Sequence, residues 1–236
     1  MRIIEHPLPD FDERPANTNI QALVLHCSAH SAKEMIEVLR QKHLSCHYII
    51  DTNGDIFQCV ADEKRAWHAG VSQWRQMENM NHYSIGIELS SLSMGQNKYP
   101  LVQINSLISL ANTLIKRYNI PNTNVVAHSD VAPQRKPDPG IMFPWKYLAK
   151  HQIGLWYDLE SVKHEDETDI KTLLSAIGYD VSDISAASYA FCRHFLPHKV
   201  KKIANTNQLI KNVFPANFCL DAEDIPVLQA VRQAYR

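Results

Sequence analysis

The sequence lacks the features that mark nucleic-acid-binding, membrane-spanning and exported proteins. Its formal net charge is -1, which provides no attraction to nucleic acid or to an anionic membrane surface. No stretch approaches the roughly 18 consecutive apolar residues of a transmembrane helix. The start, Met1 to Pro7, does not combine a charged segment, an apolar core and a small-residue cleavage site as a signal peptide does. We therefore expect a soluble protein with no visible export leader and no nucleic-acid partner.

Cysteine motifs are missing as well. The 5 cysteines form no C-x-x-C pair, and their odd number argues against a complete disulfide framework or a cysteine-rich zinc module. The H-E-x-x-H motif of many zinc peptidases is also absent. The chain has 12 histidines, however, and histidine is the commonest metal ligand. This abundance suggests a metal site without locating one.

Apolar periodicity predicts an α/β fold. Ser31 and Glu34 have the spacing of a helix capping box, and Asn53-Gly54 between two apolar runs is typical of a type I′ hairpin turn. In chain order, the predicted elements are a strand over 20–25 that ends at His26, a helix up to about Lys42, the hairpin over 48–60, an alternating strand over 83–89, a helix over 101–118 and a strand over 124–127. Because strands and helices alternate, we expect a mixed β-sheet flanked by helices.

The sequence also predicts a small C-terminal helical domain. Residues 159–167 are polar and have no periodicity, which is typical of a linker. Three helical patterns follow, over 169–177, 184–196 and 222–235, and Asp221 is the expected N-cap of the third. We therefore predict a first domain over 1–158, a linker over 159–167 and a second domain over 168–236.

The segment from His128 to Gly140 carries the most informative set of polar residues. A residue before proline favours extended backbone, so Lys136 and Asp138, each followed by a proline, should be extended and share a face. His128 follows one apolar strand, as His26 follows another. Because α/β sheets bind ligands where neighbouring strands end, we expect the two histidines to lie together near Asp138.

These residue types suggest hydrolytic zinc chemistry. Two histidines and a carboxylate leave a fourth zinc position open, as catalytic rather than structural zinc sites do. Glu88, which points away from the apolar side of its strand, could accept the proton of an attacking water. Lys136 could stabilise negative charge that develops on an attacked carbonyl. Each residue also has a structural interpretation, in which Glu88 is solvated, Lys136 lies at the surface and His26 is a hydrogen-bonded residue at a strand end.

Four segments have the order and spacing of a known family. They are Leu25-His26, Arg65-Ala-Trp-His-Ala-Gly-Val-Ser72, Ser84-Ile-Gly-Ile-Glu-Leu89 and Val126-Ala-His-Ser-Asp-Val-Ala-Pro-Gln-Arg-Lys-Pro-Asp-Pro-Gly140. Together they resemble the zinc-dependent N-acetylmuramoyl-L-alanine amidases of the AmpD/AmiD type, whose fold is shared with peptidoglycan-recognition proteins and phage T7-type lysozyme. The AmiD type is most similar, because Ile153-Gly-Leu-Trp156 and a C-terminal extension follow the first domain.

The resemblance implies one zinc ion per chain and a peptidoglycan or muropeptide substrate. The reaction it implies is hydrolysis of the amide between the lactyl group of N-acetylmuramic acid and L-alanine. The implied zinc ligands are His26, His128 and Asp138, the implied catalytic residues are Glu88 and Lys136, and the implied groove residues are Trp67, His68 and Asn81. The alternative is a non-catalytic peptidoglycan-binding protein of the same fold, which would be expected to lose a ligand or the glutamate.

The chain also departs from the family. Cys46 stands where phage-lysozyme relatives have a tyrosine before His47, and His82 stands where AmpD/AmiD relatives usually have an aspartate after Asn81. The C-terminal region resembles the three-helix peptidoglycan-binding module of AmiD-type enzymes, with an insertion over about 199–220, and both glycan binding and a structural role are open. The compartment is open too, because the missing leader favours the bacterial cytoplasm and the resemblance favours the periplasm or cell envelope.

Overall fold

A six-stranded mixed sheet forms the centre of the protein in a computed structural model that describes residues 2–160, 162 and 166–236. The strands are β1 (Ile3–Glu5), β2 (Phe11–Glu13), β3 (Ala22–Ser28), β4 (Tyr48–Ile50), β5 (Ile56–Gln58), β6 (Lys64–Ala66), β7 (Gln73–Trp74), β8 (Met77–Glu78), β9 (Ser84–Ser90) and β10 (Val125–Ala127). The helices are α1 (Ala32–Gln41), α2 (Leu101–Tyr118), α3 (His128–Val131), α4 (Trp145–Lys150), α5 (Ile170–Ile177), α6 (Ile184–Phe195), α7 (Pro197–Ile203), α8 (Thr206–Ile210) and α9 (Ile225–Ala234).

The central sheet has the strand order β1-β5-β4-β9-β3-β10. Only the β4–β5 hairpin is antiparallel within it, and the other neighbouring pairs are parallel. Two small antiparallel ribbons, β2–β6 and β7–β8, lie outside it. The predicted fold class, a mixed sheet flanked by helices, is confirmed.

Different structural elements pack against the two faces of the sheet. Leu23, Leu25 and Cys27 face a core that includes apolar residues of α2. Because side chains alternate along a strand, Ala22, Val24 and His26 face the other side. There Ala22 and Val24 join a second core with the C-terminal helices, while α1 packs on a third cluster that includes Ile49 and Phe57. Both faces of the sheet are therefore buried.

The structure confirms most of the predicted elements and corrects two. The capping box of Ser31 and Glu34 is present, and α2 matches the predicted helix. At the hairpin, Gly54 donates its N–H to the Asp51 carbonyl at 2.9 Å and has φ 88°, while Asn53 keeps negative φ. The turn is thus a three-residue connection with a left-handed glycine and not a type I′ turn. The strand predicted over 20–25, which is β3 in the structure, also continues past His26 to Ser28, because its pairing with β9 extends to Ser90.

The three predicted C-terminal helices are present as α5, α6 and α9, and Asp221 does cap a short 3₁₀ turn before α9. The insertion adds α7 and α8. The C-terminal core continues into the first domain, where the Trp74 ring lies 5.1 Å from that of Tyr179 and 6.3 Å from that of Tyr235. Of the predicted linker, residues 161 and 163–165 lie outside the described residues, and the domain boundaries stay a prediction.

No helix within the described residues has both the length and the apolar character needed to cross a lipid bilayer.

Candidate metal centre and active site

Neighbouring parallel strands place the first predicted metal ligand beside the predicted catalytic glutamate. His26 on β3 and Glu88 on β9 are direct partners in the sheet register. Adjacent strands lie about 4.8 Å apart, so two partner side chains that leave the same face stand next to each other. Cys27 points to the opposite face and packs in the core under α2, as its position next to His26 predicts.

Three buried side chains converge beside Glu88. His26 Nδ1 and His128 Nδ1 are 2.8 Å apart, and Asp138 Oδ2 lies 3.0 Å from His128 Nδ1 and 3.3 Å from His26 Nδ1. Ligand atoms about 2.0 to 2.1 Å from a tetrahedral zinc ion are separated by roughly 3.3 Å. The observed triangle therefore fits three corners of a zinc tetrahedron, and among the described residues this is the one group that could hold a metal ion.

Burial and charge keep His26 and Asp138 in the protonation states that ligate metals. Burial lowers the pKa of His26 to about 4, and the neighbouring His128 adds to the effect, so the imidazole is neutral at neutral pH. Burial alone would raise the pKa of Asp138, but interactions with His128 and His26 outweigh it and hold the pKa well below the usual range. The carboxylate is therefore ionised.

Outer hydrogen bonds orient both imidazoles. His128 Nε2 donates to the Ala69 carbonyl at 3.1 Å, which leaves Nδ1 free as a ligand atom. His26 Nε2 lies 3.0 Å from His68 Nδ1, and His68 Nε2 lies 3.3 Å from Ser84 Oγ. Such partners fix the tautomer and ring orientation of metal-binding histidines. His68 thus supports His26 from behind.

A glycine on β9 makes room for this support. A Cβ atom at Gly86 would lie 2.4 Å from Cγ of His68, far inside van der Waals contact. The Gly86 N–H also donates to His47 Nδ1 at 3.0 Å. The Gly-Ile-Glu sequence therefore serves two purposes, since Gly86 admits the His68 ring and Glu88, two residues on, shares the face of His26.

Glu88 is half-buried, and its burial together with the charge of Asp138 raises its pKa to about 8 against the opposing charge of Lys136. No described residue donates a hydrogen bond to its Oε2 atom. A carboxylate with a raised pKa and a free oxygen beside a metal triad is suited to accept and return a proton. Lys136 is half-buried and close enough to act electrostatically on both Glu88 and His26.

The segment from His128 to Gly140 is less extended than its prolines suggest. His128 begins the one-turn helix α3, and Ala132 accepts hydrogen bonds from the N–H groups of Arg135 and Lys136 in a following turn. Between His128 and Pro139, only residues 136 and 137 lie outside helix, bend and turn. The side chains of Lys136 and Asp138 nevertheless act on the same partner, Glu88.

The three predicted groove residues hold the turn beside the triad. Trp67 is half-buried and donates from Nε1 to Asp12 Oδ1 at 3.1 Å. Asn81 Oδ1 accepts the N–H groups of His68 and Ala69 at 3.1 and 2.8 Å. Asn81 also lines an open cavity of about 670 Å³ between the turn at Gly70 and the segment that follows α3. Their contact with substrate stays a prediction.

Sequence reasoning missed Ser84, His47 and Arg14 as parts of the site. Burial, and secondarily the charge of Arg14, lowers the pKa of His47 to about 3. The Arg14 guanidinium donates to the carbonyls of Ser84 and His82 at 2.9 and 2.8 Å and so fixes the start of β9. These partners are distant along the chain, so local sequence patterns hold no signal for them.

Comparison with known proteins agrees with this geometry. An N-acetylmuramoyl-L-alanine amidase family profile matches residues 16–141. Escherichia coli AmiD is 37% identical over 77% of this chain and 77% of the relative, and Haemophilus influenzae AmpD is 34% identical over 60% of this chain and 88% of the relative. The structure of E. coli AmiD with the substrate anhydro-N-acetylmuramic acid-L-Ala-D-gamma-Glu-L-Lys matches with a TM-score of 0.73, 30% identity and coverage of 96% and 98% of the two chains.

The match extends beyond the predicted first domain, because the AmiD structure covers nearly the whole of this chain, C-terminal helices included. The family profile by itself spans the two histidines, the glutamate, the lysine and the aspartate of the site. These findings confirm the resemblance and favour the catalytic interpretation over the non-catalytic alternative. The chain belongs to the N-acetylmuramoyl-L-alanine amidase family.

Proposed function

We propose that the protein hydrolyses the amide bond between N-acetylmuramic acid and L-alanine in peptidoglycan or muropeptides. The observation that carries the proposal is the placement of a metal-ligand triad next to the half-buried Glu88 carboxyl, whose Oε2 atom has no hydrogen-bond partner among the described residues. The alternative, a non-catalytic binding protein, gives no reason to keep Glu88 in a position that raises its pKa.

The donor set fits one zinc ion held by His26, His128 and Asp138. Imidazole and carboxylate are suitable zinc ligands, and three protein ligands leave an open position. A bound zinc ion supplies a Lewis acid that polarises the scissile carbonyl and makes a neighbouring water more acidic. The hydrogen bonds from His26 to His68 and from His128 to Ala69 keep the ligand nitrogens directed at the ion.

Glu88 moves the proton in this scheme. Its carboxylate accepts a proton from the attacking water as the new C–O bond forms at the lactyl carbonyl carbon. The same carboxyl then donates the proton to the amide nitrogen as the C–N bond breaks, which releases the peptide with a free L-alanine amine. Without the charge of a bound ion its pKa is raised to about 8, so the carboxyl and carboxylate forms that the two steps require are both populated near neutral pH.

Lys136 stabilises the charge on the carbonyl oxygen. Its ammonium group lies close enough to the site to oppose the raised pKa of Glu88. A fixed positive charge in a partly desolvated site stabilises a developing oxyanion more strongly than the neutral ground state. Lys136 should therefore affect turnover more than substrate affinity.

The substrate groove is proposed to run beside the Trp67-to-Gly70 turn. Trp67 and Asn81 lie at this turn, and Asn81 faces the open cavity next to α3. His68 contributes by supporting His26. We also propose that residues 168–236 form a peptidoglycan-binding-like domain. Two compartments fit the proposed reaction: the cytoplasm for soluble muropeptides and the cell envelope for intact wall.

The proposal is tested by incubating the purified protein with a muramyl-peptide, with and without a zinc chelator, and analysing the products by mass spectrometry. We expect an intact peptide stem with a free L-alanine amine, and loss of the reaction in chelator with recovery on adding zinc. A zinc-loaded protein that binds the muramyl-peptide and releases nothing would establish the non-catalytic alternative.

A further inference from the structure

The segment over residues 128–140, called the catalytic segment below, is hydrogen-bonded to the C-terminal helices at a buried aspartate. Asp130 lies in α3, two residues after the ligand His128, and is fully buried. Its Oδ2 atom accepts the Ala127 N–H at 2.8 Å, which caps the start of α3. The remaining contacts come from the C-terminal region, since Tyr179 OH donates to Oδ1 at 2.9 Å and His194 Nδ1 lies 2.8 Å from Oδ2.

Two further hydrogen bonds reach the same segment from the C-terminal region. Arg193, which is also buried, donates from Nη1 to the carbonyl of Pro137 at 3.3 Å. Pro137 lies between Lys136 and the ligand Asp138. Asn212 donates from Nδ2 to the carbonyl of Pro133 at 2.9 Å. The segment is therefore anchored at residues 130, 133 and 137.

These contacts are more specific than apolar packing requires. A buried carboxylate is costly unless donors surround it, and Asp130 has three. The His194 ring is fixed in turn by stacking on Trp145 and Phe195, with ring centroids 3.9 and 4.0 Å apart. The His194 donor is thus held in a defined position, which restricts where α3 and its first residue can lie.

We propose that Tyr179 and His194 are positioning residues of the metal centre, and that the C-terminal helices align His128 and Asp138 through Asp130 and the Pro137 carbonyl. Neither residue touches the ligand atoms, so both act through the backbone of the catalytic segment. The C-terminal region is then part of the catalytic apparatus, whether or not it also binds glycan. This inference rests on the proposed function for its zinc-binding and kinetic consequences, whereas the alignment of the segment rests on the hydrogen bonds themselves.

Tyr179→Phe is the first test, because it removes one hydroxyl and keeps the ring. We expect zinc affinity, measured by competition with a chromogenic chelator, to fall about 5- to 10-fold, as expected for losing one hydrogen bond to a buried carboxylate. In the zinc-free full-length protein, amide hydrogen exchange should accelerate in peptides covering 128–140 but not in peptides covering α2. With a muramyl-peptide, kcat should fall at nearly constant KM.

His194 provides a second, independent pair of variants. His194→Phe keeps a ring to stack on Trp145 and loses the donor, while His194→Asn keeps a nitrogen donor near the position of Nδ1. We expect the phenylalanine variant to behave like Tyr179→Phe and the asparagine variant to restore zinc affinity. His194 Nε2 has no hydrogen-bond partner among the described residues, so its loss adds little.

Tyr48→Phe is the matched control. Tyr48 is buried and donates to the buried carboxylate of Asp62 at 2.6 Å, on the side of the sheet covered by α2. The Tyr48→Phe variant should lower the thermal midpoint of unfolding, as the other variants do, and leave zinc affinity within about two-fold of the parent. Tyr179→Phe and His194→Phe variants that lose thermal stability but keep parental zinc affinity and exchange in 128–140 would overturn the proposal. A parent that binds no zinc would refute the proposed function, while the exchange measurement would still decide this inference.

Discussion

Replacing Glu88 by glutamine should stabilise the zinc-free protein at alkaline pH while it removes most turnover. The side chain is half-buried, lies next to the charge of Asp138, and has a buried oxygen, Oε2, that no described residue contacts by a hydrogen bond. Glutamine keeps the shape and carries no charge at any pH. The variant therefore removes the cost of ionising a carboxyl in this position without leaving a cavity.

The size and sign of the effect follow from the pKa. The ordinary glutamate pKa of 4.5 is raised to about 8 in the folded chain. Between these values the unfolded state binds fewer protons than the folded state, so the contribution of Glu88 to stability is full below pH 4.5 and is lost as the pH rises through about 8. At about 1.4 kcal/mol per pKa unit, the loss is at most about 5 kcal/mol.

The assay is urea unfolding of parent and Glu88→Gln proteins in excess chelator at two pH values. Near pH 5 both side chains are neutral when folded, and the two unfolding free energies should nearly agree. Near pH 8.5 the variant should be more stable by several kcal/mol. A difference that is the same at both pH values would refute the idea that the site holds Glu88 with a raised pKa. The zinc-loaded variant should keep its metal and lose roughly 100-fold or more in kcat.

Three further substitutions test separate parts of the site. Asp138→Ala should lower zinc affinity by more than about 100-fold in a chelator competition, beyond the usual effect of an outer-shell change, and parental affinity would exclude Asp138 as a ligand. Lys136→Met should reduce kcat roughly 100- to 1,000-fold with little change in zinc content, and an unchanged kcat would return Lys136 to a surface role. Gly86→Ala should push the His68 ring from its place and weaken zinc binding about 10- to 100-fold, whereas parental affinity would show that His68 does not support the ligands.

Three of the four residues that meet at the site are marked locally in the sequence. His128 follows a short apolar strand, Asp138 stands between two prolines, and Glu88 lies on the face of an alternating strand opposite its apolar residues. The position of His26 is less well predicted, since the strand continues beyond it where β3 pairs with β9. The end of a strand depends on the neighbouring strand with which it pairs, and the apolar pattern of a single strand does not identify that neighbour.

Support for the triad could not be predicted in the same way. His68 acts on His26 across 42 positions of the chain, and Asp130 meets His194 across 64. Such contacts depend on the folded arrangement and leave no periodic pattern. Prediction from local sequence is limited at the hairpin as well. Asn53-Gly54 is compatible with two turn types, and the structure adopts the one in which only Gly54 has positive φ.

The most direct test of the central claim is cleavage of a muramyl-peptide by the zinc-loaded protein in oxygen-18-labelled water. The account predicts that one labelled oxygen enters the lactyl carboxylate of the muramic acid product and that the released peptide carries an unlabelled free amine at L-alanine. Label in a carboxylate of the peptide stem would show that a different amide bond is cut and would contradict the account.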